Sequence, residues 1–183
     1  MKHGTILSIF VLAVALALTG CQAEPTDAAD RTELHQQVNS ALRSMEGADA
    51  GMQGFVSRAE GYVLFPTVGK GGFIVAGSYG RGEVYEKGAF VGYADITQLT
   101  VGAQAGGESF AELIVFGDRD SLELFKTGQT TLTANASAII IKTGAATAAT
   151  YQNGMAIFIE PNGGAMVEAA VGGQKFSFTP KQR

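Results

Sequence analysis

The sequence predicts an α+β domain that is mainly β. It is expected to be a glycine-rich, strongly bent antiparallel sheet or small barrel, with N-terminal helices and one short internal helix. Three observations lead there. Apolar residues recur at helical spacing over residues 31–60, and again briefly at Leu122 and Phe125. From residue 62 onward, runs rich in β-branched and aromatic residues are separated by turn signals. Twelve of the 25 glycines lie between Gly61 and Gly107, inside those runs. A glycine weakens a strand unless a bulge, a bend or a close backbone approach requires it, so this density implies coiled strands. Helix and strand segregate along the chain, which argues against a doubly wound sheet.

Residues 1–20 read as a lipoprotein signal peptide. Lys2 and His3 make a short basic start, and residues 6–18 are almost continuously apolar. A membrane-crossing helix needs about 20 apolar residues, so this run suits a cleaved signal better than a permanent anchor. It ends in Leu18-Thr19-Gly20-Cys21, which resembles a bacterial lipobox. Small residues before Cys21 suit a narrow protease cleft, and the Cys21 thiol is the nucleophile that receives the lipid. Two or three acyl chains hold a protein stably to a bilayer, because each buried CH₂ adds about 0.8 kcal/mol and one chain is marginal. Residues 21–30 are then a lipidated tether, since QAEPTDAAD over 22–30 is polar and interrupted by proline. By resemblance to well-studied Gram-negative lipoproteins, Gln22 after the cysteine favours the outer membrane, with the body facing the periplasm.

Residues 31–183 are expected to form one domain, with helices over 31–60 and a β-rich body over 61–178. Asp30 to Glu33 has the spacing of a capping box. Leu34, Val38, Ala41, Leu42 and Met45 then form one face of a helix over residues 31–46, stopped by Gly47. Met52, Phe55, Val56 and Ala59 predict a second, shorter helix ending near Gly61. Strands are expected at 62–65, where Pro66 ends the run, and at 73–85, 89–105 and 109–116. Further strands are expected at 138–142, 155–160, 165–171 and 174–178, with Asn162-Gly163 as a hairpin turn. Asp120 opens the internal helix, which carries Leu122 and Phe125 and closes at Gly128.

Composition narrows the function. The 183 residues are 46% hydrophobic and 16% charged, enough apolar mass for a packed core. Net charge is -4, the opposite of the positive field that phosphate backbones require, so nucleic acid is not an expected partner. The histidines are His3 and His35, and Cys21 is the single cysteine. A zinc site needs three or four such ligands, and a disulfide within the chain needs two cysteines. A Ser-His-Asp triad would depend on His35, placed on a surface helix far from any serine in a suitable turn. Glycine-rich segments also fail as phosphate cradles. Lys70 is not followed by Ser or Thr, and no helical pattern follows the 77–82 segment. No metal, cofactor or catalytic residue is expected.

Several motifs, in order, carry a resemblance. AEGYVLFP over 59–66, KGGF over 70–73 and GSYGRG over 77–82 come first. QLTVG over 98–102 and QAGG over 104–107 follow, then DSLELFKTG over 120–128 and LTANAS over 132–137. With GAMVEAAVGGQKF over 164–176, the chain resembles the SYLF domain, a lipid-binding family, and within it the bacterial lipoprotein members. The resemblance covers about residues 59–178 and implies a lipid-associated module of mixed, β-rich fold. Eukaryotic members bind phosphoinositides and couple to actin regulation. Their basic membrane-contacting helix is not evident here, since residues 31–46 carry only Arg31 and Arg43. General affinity for lipids or apolar ligands is what carries over.

The expected function is a non-catalytic, membrane-anchored envelope lipoprotein that binds lipids or other amphiphilic ligands. Cys21 is the lipidation site. Lys70, Arg81 and Lys87, set among turn glycines whose amides can assist a phosphate, are the candidate contacts for anionic headgroups. The alternative is a structural or protein-interaction module of the envelope with no lipid pocket. A carboxylate enzyme is the third class, with Glu108 and Glu112, or Asp118 and Asp120, as its pair. Asp118 and Asp120 are better explained as helix caps, and Glu112 is expected on an exposed outer strand face.

Overall fold

Three strands of unusual length carry the fold in the computed structural model, which describes residues 24–25, 27–128, 130–133 and 138–182. They are β1 (Gly61–Glu86), β2 (Ala89–Phe116) and β5 (Met155–Pro180), each 26 to 28 residues long. Two short strands, β3 (Thr131–Thr133) and β4 (Ala138–Ile140), both pair with β5. The sheet order is β1-β2-β5-β3, antiparallel except for the parallel β4–β5 pair. The domain is therefore α+β with mostly strands, and the sheet is bent and open, not closed into a barrel.

A straight strand of 26 residues would be about 85 Å long, far more than a domain this size spans. Glycine lets β1 turn back. A Cβ on Gly80 would stand 2.8 Å from the Thr67 carbonyl oxygen, and one on Gly82 would collide with the Leu64 carbonyl. The two halves of β1 thus cross with only hydrogen between them. At the other end, Lys87 (φ 49°) and Gly88 (φ 78°) make the two-residue turn from β1 to β2, the left-handed pair that matches strand twist.

Side-chain alternation gives the three long strands two buried faces. On the outer face Leu64, Leu113, Val115 and Phe158 meet α1 (Ala28–Ala48) and α2 (Met52–Ser57) through Leu34, Val38, Met45 and Phe55. On the inner face Phe65, Ile114, Phe116 and Phe176 enclose a second core, sealed by Leu122 and Phe125 of α3 (Arg119–Lys126). Phe65 and Phe176 come within 6.0 Å, ring centre to ring centre, although their strands are not adjacent. The bend brings them together.

Several boundaries differ from expectation. Asp27, not Asp30, caps α1: its carboxylate accepts from the Asp30 amide at 2.8 Å, so the helix starts one turn earlier. The supposed tether is consequently shorter than residues 21–30, with 28–30 already helical. Pro66 does not end a strand. β1 is an edge that pairs only with β2 among the described residues, and Pro66 sits at a register shift, where its missing N–H costs no ladder bond. Asn162-Gly163 is not a hairpin turn. It lies within continuous β5, opposite a register shift at Ser109/Phe110, and Gly163 and Gly164 take positive φ to absorb it. A four-residue helix, α4 (Ala145–Ala148), was not expected. Asp49 fastens it, accepting from the Ala146 amide at 2.6 Å and from the Gly51 amide at 3.0 Å. Those amides hold the Asp49 carboxyl below its usual range. The internal helix forms where expected but opens earlier: Asp118, not Asp120, caps it, its carboxylate accepting from the Ser121 amide at 2.8 Å.

Candidate functional site

Cys21, with the signal run before it, lies outside the described residues. Of the three candidate cations, Lys70 faces Glu108 across the β1–β2 ladder, with Nζ 4.0 Å from Oε1 and a side chain only 6% exposed. Arg81 faces Asp95 in the same ladder, its Nε 3.5 Å from Oδ1. Lys87, in the hairpin turn, donates to Glu60 at 2.6 Å. Each cation is therefore matched by a carboxylate. Together they do not make one positive patch.

Arg81 belongs to the most elaborate of these arrangements. Tyr79 donates its hydroxyl to Asp95 Oδ1 at 2.9 Å, and Arg81 donates to the Tyr79 hydroxyl at 3.3 Å. Burial pushes the Asp95 carboxyl up, while the Tyr79 and Arg81 bonds pull it down. Tyr79 and Arg81 line a groove of about 380 Å³ between β1 and the start of α1, which also presents Asp30 and Glu33. Those two carboxylates make the groove unfavourable for an anion, whatever Arg81 contributes. Lys87 borders a second groove, of about 400 Å³, beside Tyr62 and Glu46.

The sequence did not predict the burial of two carboxylates, Glu83 and Glu112. Glu83 lies under α1, where Tyr85 donates to its Oε2 at 2.6 Å and His35 Nδ1 stands 3.0 Å from the same oxygen. His35 is half exposed on the helix, as expected, and its ring closes the helix over the sheet. Burial, then the Glu83 charge, pushes the Tyr62 hydroxyl up to about 12. Glu112 corrects the sequence expectation outright. It is fully buried on the inner face, flanked in register by Phe65 and Ile159, and not exposed on an outer one. Gln174 donates to its Oε2 at 3.0 Å, and Oε1 has no hydrogen-bond partner among the described residues. Burial pushes its pKa to about 7, against a smaller lowering from Gln174. A signal was available: Glu112 shares its parity with Phe110, Ile114 and Phe116.

A third groove, of about 330 Å³, lies where α1 begins. Arg31, Phe90, Tyr93, Lys181 and Gln182 line it, with Glu24. Here the N-terminal segment is held to the body. Arg31 donates to the Pro25 carbonyl at 3.1 Å, and Gln182 donates to Glu24 at 3.2 Å. Among the described residues no cluster of three or more His, Cys, Asp or Glu side chains is placed to hold a metal ion, and no helix is long and apolar enough to cross a membrane.

No model of a known protein family matches the chain, and no curated protein matches it.

Proposed function

We propose that the protein is an envelope lipoprotein, acylated at Cys21, whose bent-sheet domain works non-catalytically at the bilayer surface and binds lipids or other amphiphiles. The observation that carries this is the N-terminal sequence: a basic start, a short apolar run and Leu18-Thr19-Gly20-Cys21. The resemblance of residues 59–178 to the SYLF domain supports the lipid ligand. The outer membrane, with the domain in the periplasm, is the proposed location. Two measurements test the proposal. Intact mass of the exported protein should exceed that of the chain from Cys21 onward by the mass of a diacylglyceryl group and an acyl chain. Organic extraction of the domain purified with Cys21→Ser should release a lipid in stoichiometric amount. An unmodified thiol rejects the anchor, and a lipid-free domain rejects the ligand.

A protein-interaction module with no lipid pocket is the alternative, and one observation favours it. Lys70, Arg81 and Lys87 each already answer a carboxylate, which leaves less positive charge for an anionic headgroup. Flotation with phosphatidylglycerol vesicles separates the two. Binding that falls in the triple Lys70→Gln, Arg81→Gln, Lys87→Gln variant assigns headgroup contact to these residues, and unchanged binding removes them from the site.

A further inference from the structure

We propose that the end of the domain where α1 begins is the face it turns to the bilayer, with the groove between Arg31, Phe90 and Lys181 lying against phospholipid headgroups. The proposal rests on acylation of Cys21. Its own content comes from where the chain meets the body. Glu24 is held by Gln182 and stands 3.9 Å from the Arg31 guanidinium, and Pro25 accepts from that same guanidinium. Three peptide steps separate Glu24 from Cys21, and a fully extended chain covers at most about 3.6 Å per residue. The acylated residue can therefore be no more than about 11 Å from Glu24 at the rim of this groove, which keeps the groove close to the bilayer surface. α1 is 21 residues long, so its opposite end lies about 30 Å away along the axis. There Ser44 donates to Glu160 at 2.9 Å, beside β4 and its exposed Ile140. A body on so short a lead cannot present that end to the membrane while Glu24 stays docked.

Of the two grooves at this end, the one with Asp30 and Glu33 does not favour an anion, whereas the one with Arg31, Phe90 and Lys181 has the chemistry of an interface. Phe90 stacks edge-on against Tyr85 and Tyr93, and aromatic rings are favoured at headgroup depth. Lys181 is exposed beside them, and a basic side chain close to an anionic surface contributes about 1 kcal/mol.

The protein contains no tryptophan, so single tryptophans report position without background. The full-length acylated protein is reconstituted into vesicles of phosphatidylglycerol and dibrominated phosphatidylcholine. Fluorescence quenching is then compared for Phe90→Trp, Pro180→Trp and Ile140→Trp. Pro180 is exposed, pairs with Gly92 beside Phe90 and is not one of the residues that hold Glu24, which keeps the test available should the partly buried Phe90 site disturb folding. Quenching at residues 90 and 180 is expected to exceed that at 140 by at least twofold. Equal or reversed quenching in protein whose mass proves acylation overturns the orientation alone. A mass showing an unmodified Cys21 overturns the acylation on which it depends.

Discussion

Glu112 is the residue with the sharpest measurable consequence. In an unfolded chain its carboxyl ionises near 4.5, whereas inside the sheet it keeps its proton up to about 7. Below 4.5 both states hold the proton and nothing is lost. Between 4.5 and 7 the unfolded chain releases it first, so stability falls as pH rises. Once pH passes 7 the loss is about 3 kcal/mol. Glu112→Gln keeps the shape and removes the ionisation, so at pH 8 it should be more stable than the natural chain by a large part of that amount. At pH 4.5 the difference should nearly vanish. Urea unfolding of both chains at the two pH values measures this, and equal shifts at both would refute a buried, protonated Glu112. Tyr85 belongs to the other buried carboxylate. Tyr85→Phe removes the 2.6 Å donor to Glu83 and leaves a buried acceptor short of a partner, a loss of about 1–3 kcal/mol by thermal unfolding. Neither role is legible from residue type. In residues 110–116 both strand faces are apolar, so alternation groups Glu112 with Phe110, Ile114 and Phe116 but does not say that their face is covered.

At the level of elements, helices are decided by local chemistry and the sequence discloses them well. α3 combines a capping aspartate, an apolar pair three residues apart and a basic last turn. Asp118→Ala should lower stability by about 1 kcal/mol through the lost cap. Phe125→Ala, which empties the inner core under the helix, should lower it by about 3–5 kcal/mol. The order of these two effects in chemical denaturation tests whether α3 is held by packing more than by its own termini. The first turn of α1 was legible only in part, because Asp27 and Asp30 are both acceptable caps and the sequence does not rank them. Strand ends were the least legible. Pro66 and Asn162-Gly163 look like stops, but each is absorbed as an irregularity within a strand whose neighbours continue past it.

For the whole molecule, the fold-back of β1 is what unites the two cores. It depends on a few glycines that have no room for a methyl group, while others have ample room. Gly82→Ala would drive a Cβ into the Leu64 carbonyl and Phe65 ring, for an expected loss of about 1–3 kcal/mol. Gly77→Ala meets nothing within 4 Å and should be neutral or slightly stabilising, through a less flexible unfolded chain. Melting temperatures of the two variants distinguish a bend built on close approach from one built on general glycine flexibility. The candidate cations are likewise a matter of the whole fold. Glu108, Asp95 and Glu60 lie 38, 14 and 27 residues away from Lys70, Arg81 and Lys87; the β1–β2 pairing sets the first two pairs face to face, and the return of β1 past its own start brings Lys87 to Glu60.

Local order in the chain was therefore sufficient for the α+β class, the three longer helices and the bent glycine-rich sheet, and the proposal of an anchor at Cys21 rests on it too, because periodicity, capping and signal patterns are short-range properties. Where the carboxylates go, which cations remain available and where the N-terminal segment docks were decided by strands that bend back over one another. Contacts of that kind join residues far apart in sequence, and no short-range pattern encodes them.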